Sequence, residues 1–120
     1  MAIELRTKYG QIDISNDVIA MIAGGAAIDC YGIVGMASKK QIKDGLTEIL
    51  RRENFARGVV VRQEEDQVFI DMYIIVSYGT KISEVANNVQ SKVKYTLDQT
   101  VGLSVDAVNI FVQGVRVTNP

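Results

Sequence analysis

The sequence contains no histidine, no tryptophan, one cysteine (Cys30) and one proline (Pro120). A chain without histidine cannot assemble a Ser–His or Cys–His nucleophile from its own residues. One cysteine and no histidine cannot supply the ligands of an ordinary zinc site. Carboxylates alone can hold magnesium, but no cluster of them stands out, so no metal and no cofactor is expected. A single cysteine also excludes an intramolecular disulfide, which fits a reducing cytoplasm. No apolar run approaches the ~20 residues that cross a bilayer. The opening MAIELRTKYG lacks the apolar core of a signal peptide. The expectation is a soluble cytoplasmic protein with no direct membrane insertion, touching a membrane peripherally or through a partner. The net charge of −1 supplies no field that would draw the chain to nucleic acid or anionic lipid.

What is present is ordinary for a globular domain: 120 residues, 48% hydrophobic and 22% charged. That is one domain, residues 1–120, long enough to bury roughly two-thirds of its unfolded surface.

The second half organises the chain. Val68 to Tyr78 alternates as a strand should, with Val68, Ile70, Met72, Ile74, Val76 and Tyr78 on one face. Thr80 to Thr100 reads as an amphipathic helix, with Thr80 as N-cap and a stripe of Ile82, Val85, Ala86, Val89, Val93 and Leu97. Gly102 stands where the C-terminal stop belongs. Val105 to Gln113 reads as a second strand, and Gly114 then shifts its phase, the mark of a bulge.

The first half is less explicit. Gln11 to Ile14 suits a short strand. A helix from about Asp17 to Tyr31 follows, started by Ser15, Asn16 and Asp17 and stopped by Gly32. Val18, Met21, Ile22, Gly25 and Ile28 fall at helical spacing and are assigned to its inner face. Its small middle, Ala23 to Ala27, suits close approach to a sheet or another helix rather than phosphate binding, since no P-loop Lys-Ser/Thr follows. Ile33 and Val34 suit a short strand. Ile42, Leu46, Ile49 and Leu50 predict a helix over Ser38 to Glu53. Gly58 opens a hairpin of Val59, Val60 and Val61, with a turn at Glu64 to Gln67. The order is β-α-(β)-α-β-β-α-β, an α+β domain with a small mixed β-sheet and helices packed on one face.

Few stretches suggest chemistry. Gly32-Ile33-Val34-Gly35 matches the GxxG of KH nucleic-acid modules, but isoleucine and valine stand where that loop is polar or basic. Lys39, Lys40, Lys43, Arg51, Arg52 and Arg57 form a basic segment with three acids interspersed. It reads as a solvated helix face, with phosphate or an acidic partner as the sharper reading. Cys30 beside Asp29 at a helix C-terminus lacks the positive surroundings of a reactive thiol. Asp71 and Asp106 are lone acids, expected to be paired or solvated. The second face of the 68–78 strand carries Phe69, Asp71, Tyr73, Ile75 and Ser77. A face wholly in water should not carry two aromatics and an isoleucine. Phe69, Tyr73, Ile75 and Phe111 are therefore the candidate interaction surface.

Taken together, several stretches resemble a known family. These are DMYIIVSYGTKISEVANNVQSKVKYTL from Asp71, Val101-Gly102-Leu103, and Val108 to Val115 (VNIFVQGV). In the front half Gly10-Gln11-Ile12 and Tyr31 to Ala37 (YGIVGMA) agree. The chain is similar to the alkaline shock protein family of Gram-positive bacteria, the general-stress or envelope-stress-response proteins. The resemblance implies a non-enzymatic cytoplasmic protein that self-associates as a homo-oligomer and supports cell-envelope homeostasis. It also implies a membrane-embedded protein partner that holds it at the inner face of the membrane. The chain looks like the short, tail-less members, for which a dihydroxyacetone-kinase-like enzyme is the other implied partner. The alternatives are a regulatory partner of such an enzyme and a KH-like nucleic-acid-binding module.

Overall fold

The computed structural model describes residues 2–38 and 56–117. The helix predicted over Ser38 to Glu53 and most of the basic segment lie outside the described residues, apart from Ser38, Ala56 and Arg57.

The chain opens with a hairpin, β1 (Ala2–Thr7) and β2 (Gly10–Ser15), paired antiparallel with Ile3 opposite Ile14 and Leu5 opposite Ile12. Ile12 and Ile14 do share a face, but β1 was not foreseen. It has only two alternating apolar residues, and its partner supplies the other half of the pattern. Ser15 then caps α1 (Asn16–Ile28), its hydroxyl accepting from the Val18 N–H at 3.3 Å. A turn leads into β3 (Ile33–Met36). The chain returns at β4 (Val59–Glu64), turns through Glu65 and Asp66, and runs out along β5 (Gln67–Ser77). Then come α2 (Ile82–Val101) and β6 (Ala107–Arg116).

β5 is the hub of a four-stranded mixed sheet. β6 lies parallel along one edge, from Phe69 opposite Ala107 to Ser77 opposite Arg116. The other edge is shared end to end: β4 pairs antiparallel with residues 67–72 and β3 with residues 74–76. Where β3 and β4 meet, a Cβ on Gly58 would lie 2.9 Å from the Met36 Cβ and 3.0 Å from the Ala37 carbonyl, so the backbones close tightly only without a side chain.

Both helices pack on one face of this sheet. The core joins Ile70, Met72, Ile74 and Val76 of β5 to Ile19, Ala23 and Ala27 of α1 and to Val85, Val89, Val93 and Leu97 of α2. Each fully buried valine, leucine or isoleucine contributes about 1.5–3 kcal/mol. Tyr78, assigned to the inner face, lies in the turn after β5 and is exposed.

Four local expectations change. The inner stripe assigned to α1 faces outward: Val18 is 48% and Met21 57% exposed, while Ile19, Ala20, Ala23, Gly24, Ala26 and Ala27 are buried. Almost every side of this helix is apolar, so periodicity cannot choose a face. Close approach chooses the small one. Gly32 does not stop α1, which ends at Ile28 with Asp29 as C-cap. It makes the turn into β3 at φ +89°, and its missing Cβ leaves room for Val85 of α2, which a Cβ would meet at 2.6 Å. Thr80 is not the cap of α2. Its hydroxyl donates to the Ser77 carbonyl at 2.7 Å, and Lys81 occupies the cap without a side-chain bond. Ile82 is 42% exposed instead of lining the core. Gly102 does end α2, at φ +78°, its N–H reaching the Leu97 and Asp98 carbonyls.

Candidate interaction face

The face of β5 turned away from the helices carries Phe69, Asp71, Tyr73 and Ile75, none of them part of the helix-side core. The two-residue turn at Glu65 and Asp66 sets the register that brings Arg62 opposite Phe69. The parallel pairing with β6 places Asn109 opposite Asp71 and Phe111 opposite Tyr73.

Asp71 is 8% exposed and well partnered. Its Oδ2 accepts from Arg62 Nε at 2.7 Å, and its Oδ1 accepts from Arg62 Nη2 at 3.2 Å and from Asn109 Nδ2 at 2.9 Å. Arg62 Nη1 also reaches Glu64 Oε1 at 3.1 Å. The hydrogen bond to Asp71 is the main reason the Arg62 guanidinium pKa is raised above its ordinary value. The same guanidinium lies 5.1 Å from the Phe69 ring centre, within cation–π range. On the neighbouring row the Tyr73 and Phe111 rings stack at 5.0 Å with planes 18° apart. Phe111 is 41% exposed and Phe69 and Tyr73 are half-buried.

Three of the four residues nominated from the sequence thus share one accessible face. Ile75 differs: it is fully buried and offers no surface. The registers of both neighbouring strands slip beside it, between Ile33 and Gly35 on β3 and at Gly114 on β6. Arg62 was missed. The signal was there, since a two-residue turn after Glu64 fixes which β4 residue faces Phe69. Asp106 is structural: its Oδ2 accepts the Val68 N–H at 2.7 Å where β6 begins.

The other nominated stretches fare differently. Gly32 to Gly35 is a turn running into a paired strand, not a loop between helices. The open groove beside it, about 440 Å³, is lined by Tyr31, Gly32, Ile33, Val34, Ser77 and Thr80, with no basic side chain among them. The Cys30 thiol donates to the Ala26 carbonyl at 3.6 Å. Burial pushes its pKa up, with Asp29 adding and Lys92 opposing. Among the described residues no three His, Cys, Asp or Glu side chains converge as metal ligands. No described helix is long and apolar enough to cross a membrane.

Comparison with known proteins adds the following. The model of the alkaline shock protein 23 family, described by its cell envelope-related function, matches residues 4–117. An uncharacterized Bacillus subtilis protein, YloU, is 83% identical over 120 residues, covering the whole of both chains. An uncharacterized Streptococcus pyogenes protein, Spy1614, is 47% identical over 117 residues, 98% of this chain and 97% of its own. A second Bacillus subtilis protein, the uncharacterized YqhY, is 33% identical over 110 residues, 92% of this chain and 80% of its own. No solved structure matches the chain.

Proposed function

The chain belongs to the alkaline shock protein 23 family, and on that premise we propose that it is a non-enzymatic contact protein that joins copies of itself and other proteins on the cytoplasmic side of the cell envelope. The family's cell envelope-related function and the Gram-positive relatives support the setting.

The observation that carries the reading is the stacked Tyr73–Phe111 pair on a sheet face that no described helix covers. Such a pair contributes about 0.5–1.5 kcal/mol beyond the area it buries. The neighbouring charge does not oppose burial. Asp71 already accepts three hydrogen bonds from Arg62 and Asn109. A partner can therefore cover this face without stranding a bare carboxylate, the costly alternative.

Light scattering behind size exclusion tests it. The wild type should run larger than its 13.2 kDa chain. Tyr73→Glu and Phe111→Glu should each return it toward a monomer and strip its partners from pull-downs of a membrane fraction. A wild type that stays monomeric at high concentration, with pull-downs unchanged by both substitutions, would sink the proposal.

A further inference from the structure

The β1–β2 hairpin is an arm whose apolar face is covered at its base and bare toward its tip. Ile3 is buried and Ile14 half-buried against the core, whereas Leu5 is half-buried, Ile12 is 49% exposed and Tyr9, in the turn, is 88% exposed. A two-stranded hairpin is marginal on its own. The outward side of α1 is also bare: Val18 and Met21 are exposed, Ile22 and Ile28 are half-buried, and a Cβ on Gly25 would meet nothing within 4 Å. Asp17 and Asp29 stand four residues before Met21 and four after Gly25, so they end the same stripe.

We infer that the distal arm of one copy docks on the outward stripe of α1 of a second copy, reciprocally, to form a two-fold dimer. Three observations select this occupant. The surfaces match in length: six strand residues and thirteen helical residues each span about 20 Å. They match in charge. Residues 5–12 of the arm carry Arg6 and Lys8 and no acid, while α1 and its C-cap carry Asp17 and Asp29 and no base. Arg6 also pairs with Glu4 at 2.9 Å on the arm's polar face. Finally, β2 ends at Ser15, which is itself the N-cap of α1, so no linker lets the arm fold back on its own helix. The acids on α1 also argue against an anionic lipid surface as the occupant.

The inference rests on self-association but places a contact away from the Tyr73–Phe111 face. Charge reversal tests it by sedimentation, with melting curves as the folding control. Arg6→Glu with Lys8→Glu makes the arm acidic, and Asp17→Lys with Asp29→Lys makes the helix basic. Each double variant alone should dimerise about tenfold or more weakly than wild type. An equimolar mixture should recover dimer, because each arm then meets a helix of opposite charge. Folded variants that dimerise like wild type, or a mixture that fails to recover, overturn arm exchange. If Phe111→Glu alone disrupts the wild-type dimer, arm exchange fails and the sheet-face reading stands. A strictly monomeric wild type removes both.

Discussion

The two helices pack on the same sheet but present opposite problems. In α2 the buried positions are Val85, Val89, Val93 and Leu97, and polar residues occupy most of the rest. Only one side of such a helix can enter a core, because burying lysines, asparagines and glutamate unpaired costs too much. In α1 nearly every position between Val18 and Ile28 is apolar or glycine. Hydrophobicity then excludes nothing, and the face that packs is the one that lets the backbone come closest. The larger Val18 and Met21 are left outside while the alanines go in. Hydrophobic size thus predicts burial in α2 and predicts it backwards in α1.

Substitutions can break or sharpen that contrast. The largest effect should come from Leu97→Ala, which empties a fully buried site in α2 and should cost about 2–5 kcal/mol in chemical denaturation. Gly32→Ala attacks the turn that admits α2 to the core. The left-handed backbone alone should cost about 1–3 kcal/mol. The stiff Val85 side chain 2.6 Å from the new methyl adds to that, and a lower Tm would report it. Ala23→Leu enlarges the close-packed side of α1 and should lose about 1–3 kcal/mol by forcing the helix off the sheet. If it were neutral, close approach would not be what chose that face. Met21→Ala should change stability by no more than about 0.5 kcal/mol, although it removes the larger side chain. A loss of 2 kcal/mol or more, the order of a buried Met→Ala, would show that Met21 is buried in solution. If the loss tracked protein concentration, a second copy would be what covers it.

The Arg62–Asp71 pair adds a pH expectation. Arg62 has its pKa raised in the folded state, so its contribution is full below the ordinary arginine value and is lost only as pH climbs past the raised one. Urea midpoints between about pH 7 and 10 should therefore show no step from this arginine. A step there that vanished in Arg62→Met would contradict the pairing.

Much of the sheet was legible. The alternation of Val68 to Val76 assigned the inner face of β5, and Gly114 announced the slip in β6. Phe69, Tyr73 and Phe111 were found because aromatics at alternate positions do not suit a wet face. Arg62 and Asn109 gained their roles only when two strand pairings brought them to Asp71 from opposite sides. Ile75 was misjudged as surface because alternation says which side a residue faces, not whether that side is covered.

By itself the sequence determined what local chemistry can exclude: the absent nucleophile systems, the wet side of α2, the turns at Glu65-Asp66 and Gly102, and the α+β order. The tertiary structure decided what depends on non-local fit. It chose the packed side of α1 by backbone approach, paired β1 with β2, buried Ile75 between two slipped registers, and left one helix stripe and the tip of one arm without cover. The reason is common to all four. Periodicity discriminates only where polar residues forbid one side, and elsewhere shape and register, fixed by distant parts of the chain, settle what is inside.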